Sequence, residues 1–303
     1  MGLSFKKWNT ASLAGLFLWV LPSLCLGQNE EMVLTTSQGD DRHPWWSPDG
    51  KTIVFESNRN GQWDLYSIDS SGANERRLTD HSSNDRSPSW YPDGSGILFE
   101  SDRSGKAGLY KLEMPGLNVI PILLEDFDLA PTMARISPNG EQLIFSANLE
   151  QDRPNLNLFL TSSKGGMVKQ LTFDPTRSLY PSWAPDSKQV VFFSRRDTQG
   201  EQDELYTQSI DKPEEAKRLT HYEIHDFCPH WSADGEHIVF SRSMKDDRPE
   251  IFIITKDGTG AKRITFTQGE GETQAVWSPN GQQIAFAGYR NGSYQICLLP
   301  VNN

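Results

Sequence analysis

The amino-acid sequence predicts an all-β protein, a six-bladed β-propeller whose blades are four-stranded sheets. The first observation is a repeat of about 46 residues, which occurs six times after residue 40. The second is the composition, since 24 glycines, 18 prolines and 9 tryptophans are typical of many short strands joined by turns. Sheets of this size cannot bury both faces alone, and radial packing of the copies buries them, which predicts the propeller.

The charge and cysteine content exclude two broad classes of protein. The chain of 303 residues has 40 acidic and 29 basic residues, for a net charge of −11 at pH 7. A nucleic-acid-binding surface is rich in lysine and arginine, so we expect no nucleic-acid partner. Three cysteines are too few for a scaffold held together by disulfides.

Residues 1–27 are predicted to be a signal peptide, followed by a propeller over residues 28–303. Lys6 and Lys7 precede an apolar run that ends near Gly27, which suits cleavage before Gln28. Two alternatives stay open: an uncleaved membrane anchor, and lipidation at Cys25, although the bulky Leu24 precedes that cysteine. We expect a periplasmic or secreted protein, a monomer, with no membrane span after cleavage.

The most regular part of the repeat is a tetrapeptide close to Ser-Pro-Asp-Gly, which predicts a tight turn. A tryptophan precedes this turn in five copies, and a phenylalanine follows that position by nine residues in every copy. The preceding residues are Trp46, Trp90, Ile136, Trp183, Trp231 and Trp277, and the phenylalanines are Phe55, Phe99, Phe145, Phe192, Phe240 and Phe286.

Each repeat reads as four consecutive strands. The first strand ends at the tryptophan, and the second is a short apolar run such as 53–55. The third strand is also apolar, for example residues 65–68. The fourth strand contains Leu-Thr or Ile-Thr, as in Leu78-Thr79; in the second blade Leu123-Leu124 is a less exact match to this pattern. The predicted blades lie near 41–80, 85–124, 128–172, 177–220, 226–265, and 272–300 with 31–36.

The last blade lacks a fourth strand of its own. The chain stops at Asn303 without a Leu-Thr strand, whereas the segment from Met32 to Thr35 has that pattern and belongs to no repeat. We therefore expect the N-terminal segment to complete the sixth blade and close the ring.

The repeated Trp-Ser-Pro-Asp-Gly followed by a Phe and then by Leu-Thr resembles the propeller repeat of the TolB family, over roughly residues 31–303. That family includes the periplasmic component of the Tol–Pal envelope system, and related repeats occur in prolyl-oligopeptidase-type enzymes. The resemblance implies six blades and an envelope or periplasmic protein or peptide as partner. The α/β domain that TolB carries ahead of its propeller is expected to be absent, which puts a Tol–Pal role in doubt.

Candidate site residues come from the start of each first strand, which lines the channel of a propeller. The positions five residues before the repeat tryptophan are acidic in blades one, two, five and six, which are neighbours once the ring closes. This predicts an acidic crescent at one channel mouth, edged by basic residues. The predicted partner-binding residues are Asp41, Arg42, His43, Asp85, Arg86, Asp226 and Glu272.

Three interpretations of the acidic positions stay open. The carboxylates can bond the backbone of their own or the next blade, which is a purely structural role. They can recognise a partner through charge. They can hold a hard cation such as Ca²⁺, although no EF-hand-type loop is present and we expect no cofactor.

Other recurring residues favour structural roles. Arg59, Arg103, Arg196 and Arg290 follow the second strands and are expected to stack on neighbouring blades and bond loop carbonyls. His221, His225, His230 and His237 are not expected to converge on a metal. Cys228 and Cys297 are expected on different blades, without a disulfide.

Catalytic signatures are absent from the sequence, which has no Gly-x-Ser-x-Gly and no His-Glu-x-x-His motif. We therefore predict a non-catalytic propeller scaffold that binds a protein, peptide or envelope glycan at the channel mouth. The alternative is a glycan-active lyase or hydrolase that uses the mouth carboxylates, with or without a metal.

Overall fold

A computed structural model gives the structure of residues 30–125, 128, 130–150, 153–198, 201–246, 248–267 and 271–301. The predicted signal peptide lies outside the described residues. Within them, the strands form six four-stranded antiparallel sheets and one short parallel pair. The prediction of a six-bladed all-β propeller is confirmed.

The strands follow one another around the ring in chain order. They are β1 (Met32–Val33); β2 (Asp41–Trp46), β3 (Thr52–Ser57), β4 (Asp64–Asp69) and β5 (Arg76–Arg77) in blade 1; β6 (Asp85–Trp90), β7 (Gly96–Ser101), β8 (Gly108–Glu113) and β9 (Val119–Ile122) in blade 2; β10 (Leu124–Glu125); β11 (Pro131–Ile136), β12 (Gln142–Glu150), β13 (Arg153–Ser162), β14 (Gly166–Met167) and β15 (Lys169–Gln170) in and beside blade 3; β16 (Ser178–Trp183), β17 (Gln189–Ser194), β18 (Glu204–Ser209) and β19 (Lys217–Arg218) in blade 4; β20 (Asp226–Trp231), β21 (His237–Ser243), β22 (Pro249–Thr255) and β23 (Lys262–Arg263) in blade 5; and β24 (Glu272–Trp277), β25 (Gln283–Arg290) and β26 (Ser293–Pro300) in blade 6.

The repeated tetrapeptide forms the hairpin between the first two strands of a blade. In blade 1 the Gly50 N–H donates to the Ser47 carbonyl at 2.9 Å, and the Ser47 hydroxyl donates to Asp49 at 2.7 Å. Gly50 has φ of 69°, a left-handed conformation that glycine adopts without steric cost. In blade 4 Ser187 holds this position with φ of 57°.

The repeat phenylalanines pack where adjacent blades meet. All six are fully buried. Between blades 1 and 2, for example, Val54 and Leu65 share a cluster with Ile97 and Phe99. Each blade therefore buries its faces against its neighbours, which is the physical requirement that the repeat implied.

The N-terminal segment closes the ring in the sixth blade, as predicted. β1 pairs antiparallel with β26, and the Leu34 N–H donates to the Ile296 carbonyl at 2.8 Å. The Thr35 hydroxyl accepts the Ile296 N–H at 2.9 Å, just as the Thr79 hydroxyl accepts the Leu65 N–H at 3.0 Å in blade 1. Leu34-Thr35 thus takes the place of the Leu-Thr pair that follows the outer strand of other blades.

Two details of the outer strands differ from the prediction. Leu78-Thr79 and its equivalents follow the outer strand instead of forming it, since the pairing residues in blade 1 are those of β5. In blade 2 the outer strand is β9, which contains Pro121, and not Leu123-Leu124; Leu124 pairs with Gly166 in β14. Proline is tolerated in β9 because an outermost strand has a free edge.

Candidate functional site

The first strands of the six blades surround the central channel, because each contacts the first strand of both neighbouring blades. We call the end where these inner strands begin the loop mouth, and the end where they reach the repeat tryptophan the turn mouth. The predicted site residues lie toward the loop mouth, at the first three positions of β2, β6, β20 and β24.

A β-bulge interrupts every inner strand. The third residue has positive φ, between 49° and 58°, and the pairing register with the second strand shifts around it. The six residues are His43, Ser87, Met133, Tyr180, Cys228 and Gln274. Non-glycine residues rarely adopt this conformation, so six at one structural position form a built-in feature of the ring.

The four predicted acidic residues are each paired with an arginine of the same blade. Their side chains have no solvent exposure. The nitrogen–oxygen distances are 2.9 Å for Arg59–Asp41, 2.8 Å for Arg103–Asp85, 2.6 Å for Arg242–Asp226 and 2.8 Å for Arg290–Glu272. Arg59 and Arg103 follow the second strand, whereas Arg242 and Arg290 lie at its end, so each pair ties the start of the inner strand to the end of the second strand or the loop after it.

The recurring arginines therefore act differently from the expectation. Arg59, Arg103 and Arg196 stack on aromatic rings of their own blade, for example Arg59 over Tyr66 at 4.4 Å, and the expected stacking on neighbouring blades is wrong for these three. In blade 4, where Ser178 replaces the acidic residue, Arg196 pairs with Asp174 at 2.6 Å instead. Blade 4 therefore also has an arginine–carboxylate pair, although its carboxylate comes from a residue four positions earlier in the sequence.

Burial shifts the proton affinity of two of these carboxyls. Burial raises the pKa of Asp226, and Arg242 opposes that change. Burial raises the pKa of Glu272 to about 7, against the opposing charge of Arg290, and Glu31 raises it further. Arg290 also pairs with Glu31 at 2.6 Å, so one guanidinium serves two carboxylates in blade 6.

Two arginines and two aromatic rings lie close together at the loop mouth. Arg86 is exposed and lies 5.3 Å from the Trp63 ring, with no carboxylate within 4 Å among the described residues. Arg42 pairs with Asp40 at 2.8 Å and lies over the Tyr294 ring at 4.3 Å and near the Trp63 ring at 6.0 Å. We call Arg42, Trp63, Arg86 and Tyr294 the arginine–aromatic patch.

A hydrogen-bonded chain of side chains lies deeper in the channel. His43 pairs through Nδ1 with Glu56 at 3.0 Å, and its Nε2 lies 2.7 Å from the Tyr180 hydroxyl and 2.9 Å from Gln274. Glu56 also accepts the backbone N–H of Ser87 in the next blade at 2.6 Å. Burial raises the Glu56 pKa, but His43 and Ser87 outweigh it, so the pKa is lowered overall.

The sequence located part of this site. Arg42 and Arg86 lie at the mouth and His43 lies deeper in the channel, whereas Trp63, Tyr294, Glu56 and Tyr180 are not among the residues predicted from the sequence. Glu56 had a detectable signal, because it follows the repeat phenylalanine as Glu100 does in blade 2, and each carboxylate accepts the bulge N–H of the next blade. Trp63 and Tyr294 occupy variable loop or third-strand positions that carry no repeat signal.

The remaining candidate metal ligands and thiols are the histidines and the cysteines. Within the described ranges, no three His, Cys, Asp or Glu side chains are arranged to hold a metal ion. His225 pairs with Asp203 at 3.1 Å, and His230 lies in the channel on β20. Cys228 and Cys297 are buried free thiols in different blades. The described residues also contain no helical segment with the length and hydropathy needed to traverse a bilayer.

Known proteins share this architecture. A TolB homolog from Chlorobium luteolum is 28% identical over 167 residues, covering 55% of this chain and 36% of that protein. TolB from Acinetobacter baumannii has a TM-score of 0.62 at 19% identity, over 88% of this chain and 64% of that one. An oligogalacturonate lyase from Vibrio parahaemolyticus has a TM-score of 0.63 at 12% identity, over 92% and 95%. At these identities the structural likeness shows the fold alone.

The curated relatives are longer than their match to this chain, which spans about half of their length or less. The family model described as the TolB β-propeller domain matches residues 25–199 and 198–303, which is most of the sequence. The six repeats, the ring closure and this match lead to one conclusion: the chain belongs to the TolB β-propeller family.

Proposed function

We propose that this protein is an exported, non-catalytic binding module that holds an acidic segment of an envelope or periplasmic protein across the loop mouth. The observation that carries the proposal is Arg86, an exposed guanidinium stacked on Trp63 without an acidic partner among the described residues. Arg42 lies near the same Trp63 ring, and its guanidinium is shared with Asp40. Exposed arginine over an aromatic ring offers both charge and apolar contact, the combination found at binding hot spots.

The four buried carboxylates support the same function indirectly. Because Asp41, Asp85, Asp226 and Glu272 are buried and paired with arginines, their carboxylates do not face a partner, whereas the exposed Arg86 has no carboxylate within 4 Å among the described residues. The ion pairs hold the inner strands and adjacent loops together, which fixes the positions of the mouth side chains. In this proposal Arg42 and Arg86 face the partner, His43 lies deeper in the channel against Glu56, and the acidic residues are positioning groups.

Export to the periplasm or outside the cell is part of the proposal. It rests on the predicted signal peptide and on similarity to a TolB homolog. The proposed function requires no cofactor.

The enzyme alternative needs carboxylates that reach a substrate. Glycoside chemistry uses a pair of carboxyl groups on either side of the scissile bond. The predicted carboxylates are instead buried in ion pairs, which favours binding over catalysis. The fold likeness to an oligogalacturonate lyase in complex with manganese defines the assay for the alternative. Turnover of oligogalacturonides with manganese present, lost on substitution of Glu56 or His43, would overturn the non-catalytic proposal.

The binding proposal is tested with labelled peptides of opposite charge. We expect a glutamate-rich peptide to bind the chain lacking residues 1–27 more tightly than a lysine-rich one, despite the net negative charge of the protein. The double variant Arg42→Gln, Arg86→Gln should weaken acidic-peptide binding by roughly tenfold or more, as expected for the loss of two charged contacts. Fluorescence anisotropy at two salt concentrations measures this.

Arg76→Gln is the matched control, because Arg76 is an exposed arginine on the outer strand of blade 1. This variant should bind like the parent. Equal binding of both peptides, or equal weakening by the control, would contradict a specific site at the loop mouth.

A further inference from the structure

A cavity opens at the turn mouth, at the opposite end of the channel from the proposed partner site. Its volume is about 350 Å³, within the range of small-molecule pockets. The walls are apolar, and they are formed by the repeat tryptophans and by the prolines of the repeated turns. The tryptophans are Trp46, Trp90, Trp183, Trp231 and Trp277, and the prolines are Pro48, Pro92, Pro138, Pro185 and Pro279. We call this cavity the tryptophan funnel.

A single cation forms part of the funnel lining. Arg135 of β11 is 7% exposed, so its side chain is more than nine-tenths buried. Its guanidinium lies 4.6 Å from the Trp45 ring and donates through Nη1 to the Ala134 carbonyl at 2.7 Å. In the described part of the chain no carboxylate lies within ion-pair distance of it, which contrasts with the buried carboxylates of the loop mouth, each paired with an arginine.

Glu56 and Glu100 are the carboxylates whose charge reaches Arg135, but both are engaged elsewhere. Glu56 bonds His43 and the Ser87 N–H, and Glu100 accepts from Thr132 at 3.0 Å and from the Met133 N–H at 2.5 Å. A guanidinium stays protonated in proteins, so Arg135 keeps its charge in an apolar setting. A buried cation without a direct anionic partner is unfavourable, and an incoming anion would relieve that cost.

Two further donors line the funnel beside Arg135. His230 accepts the Trp277 N–H through Nδ1 at 3.4 Å, which leaves the proton of the neutral ring on Nε2. Burial and the Arg135 charge lower the His230 pKa to about 3, so the ring is neutral. Ser182 accepts the Trp231 N–H at 3.2 Å, and its hydroxyl can donate. One cation and two neutral donors match the oxygens of one carboxylate.

We propose that the tryptophan funnel binds a small organic monocarboxylate with an aromatic or branched apolar body, its carboxylate on Arg135 and its body against the tryptophans. One cation matches one negative charge, and the apolar walls disfavour a second. A guanidinium bonds a carboxylate in a planar, two-point geometry that a neutral amide cannot reproduce with equal strength. The site is separate from the loop mouth, so it stands whether or not a protein partner binds there.

The test compares 3-phenylpropionate with 3-phenylpropionamide, which has the same apolar body and no charge. Six of the nine tryptophans of the chain line the funnel, so intrinsic fluorescence reports binding. We expect saturable binding of the acid, at least about tenfold tighter than that of the amide, as charge-assisted hydrogen bonds are roughly twice as strong as neutral ones. Arg135→Met should abolish this preference, and Arg76→Met, on an outer strand, should retain it.

A second pair of variants covers the case in which Arg135→Met does not fold. Ala233 is exposed at the funnel rim, where each of the other five blades has a proline directly after the first residue of the turn, and a phenylalanine at this position would enter the cavity. Ala233→Phe should weaken binding of the acid at least about tenfold, because the ring would occupy space that the ligand needs and so reduce the contact of the ligand with the walls, and Ala233→Pro should leave binding unchanged. Equal affinity for acid and amide, absence of saturation at millimolar ligand, or identical binding by both Ala233 variants would overturn the proposal.

Discussion

The buried arginine–carboxylate pairs determine what each residue at the loop mouth can do. Asp85 has no exposure and receives two hydrogen bonds from Arg103, each 2.8 Å long. Arg86, one residue further along β6, is exposed and stacks on Trp63. Neighbouring residues of one strand therefore have different roles. The Asp85 side chain holds the strand in place, and the Arg86 side chain extends into solvent.

This division gives a stability prediction at the residue scale. Arg103→Met should destabilise the protein by about 3–5 kcal/mol, because it leaves the Asp85 carboxylate buried without its counter-charge. Arg86→Met should change stability by no more than about 0.5 kcal/mol, since that side chain is exposed. Urea unfolding of the two variants measures the contrast. The double variant Asp85→Asn, Arg103→Met should recover part of the lost stability. Equal stabilities of Arg103→Met and Arg86→Met would contradict a stabilising role of the Arg103–Asp85 ion pair.

Glu272 gives a pH-dependent prediction at the same scale. Its pKa is raised to about 7 by burial, whereas the ordinary glutamate value, expected in the unfolded chain, is 4.5. The folded protein therefore holds this proton more tightly, and its stabilising contribution is complete below pH 4.5 and lost as pH rises through about 7. Relative to Glu272→Gln, which does not titrate, the parent should lose about 1–2 kcal/mol between pH 5 and pH 8.

Urea unfolding of the parent and Glu272→Gln at both pH values measures that difference. The comparison cancels the titration of every group that the two proteins share. A stability difference that does not change between pH 5 and pH 8 would show that Arg290 keeps Glu272 ionised throughout.

Among the strands and turns, those that recur with the repeat are predictable from the sequence, and the inner-strand bulge is not. The hairpin turns, the second strands and the buried phenylalanines recur with fixed spacing, so they were predictable from one chain. The inner-strand bulge was not, because its positive-φ position holds six different residue types, from Ser87 to Tyr180. No local preference marks it, and hydrogen bonds from the neighbouring blade, such as Glu56 to the Ser87 N–H, help to hold that backbone.

The candidate site shows the same limit. The spacing from the repeat tryptophan predicts the positions of the four acidic side chains at the start of the inner strands, but it does not predict that arginines of the same blade pair with them. Spacing places residues on a strand, but it does not say which charges meet across a blade. The outer strand of blade 2 differs from its predicted position for a related reason. The apolar pair Leu123-Leu124 matches the repeat pattern better than the observed strand, which contains Pro121.

For the whole molecule, the net negative charge does not predict the charge at the two ends of the channel. The chain carries −11 overall, but the acidic residues predicted at the loop mouth are paired with arginines, and the turn mouth has Arg135 among apolar walls. Both channel ends therefore offer a cation to a ligand, although total composition suggested the opposite. Ring closure brings blades 6 and 1 together. As a result the His43 N–H of blade 1 donates a hydrogen bond to the Gln274 side chain of blade 6, at 3.0 Å.

Closure also sets the stability of the ring, and it depends on one short segment. Leu34, directly after β1, packs in a buried cluster with Trp46 of blade 1 and Ile296 of blade 6, whereas Val33 at the end of β1 is 42% exposed. Leu34→Ala should therefore lower the free energy of unfolding by about 2–4 kcal/mol, and Val33→Ala by less than about 0.5 kcal/mol. Deleting residues 31–36 should cost several kcal/mol more than Leu34→Ala, because it also removes the Thr35 hydrogen bond to Ile296 and exposes the edge of β26. Denaturant midpoints measured at equal slope give these differences, and a deletion variant as stable as the parent would show that the ring does not need its N-terminal strand.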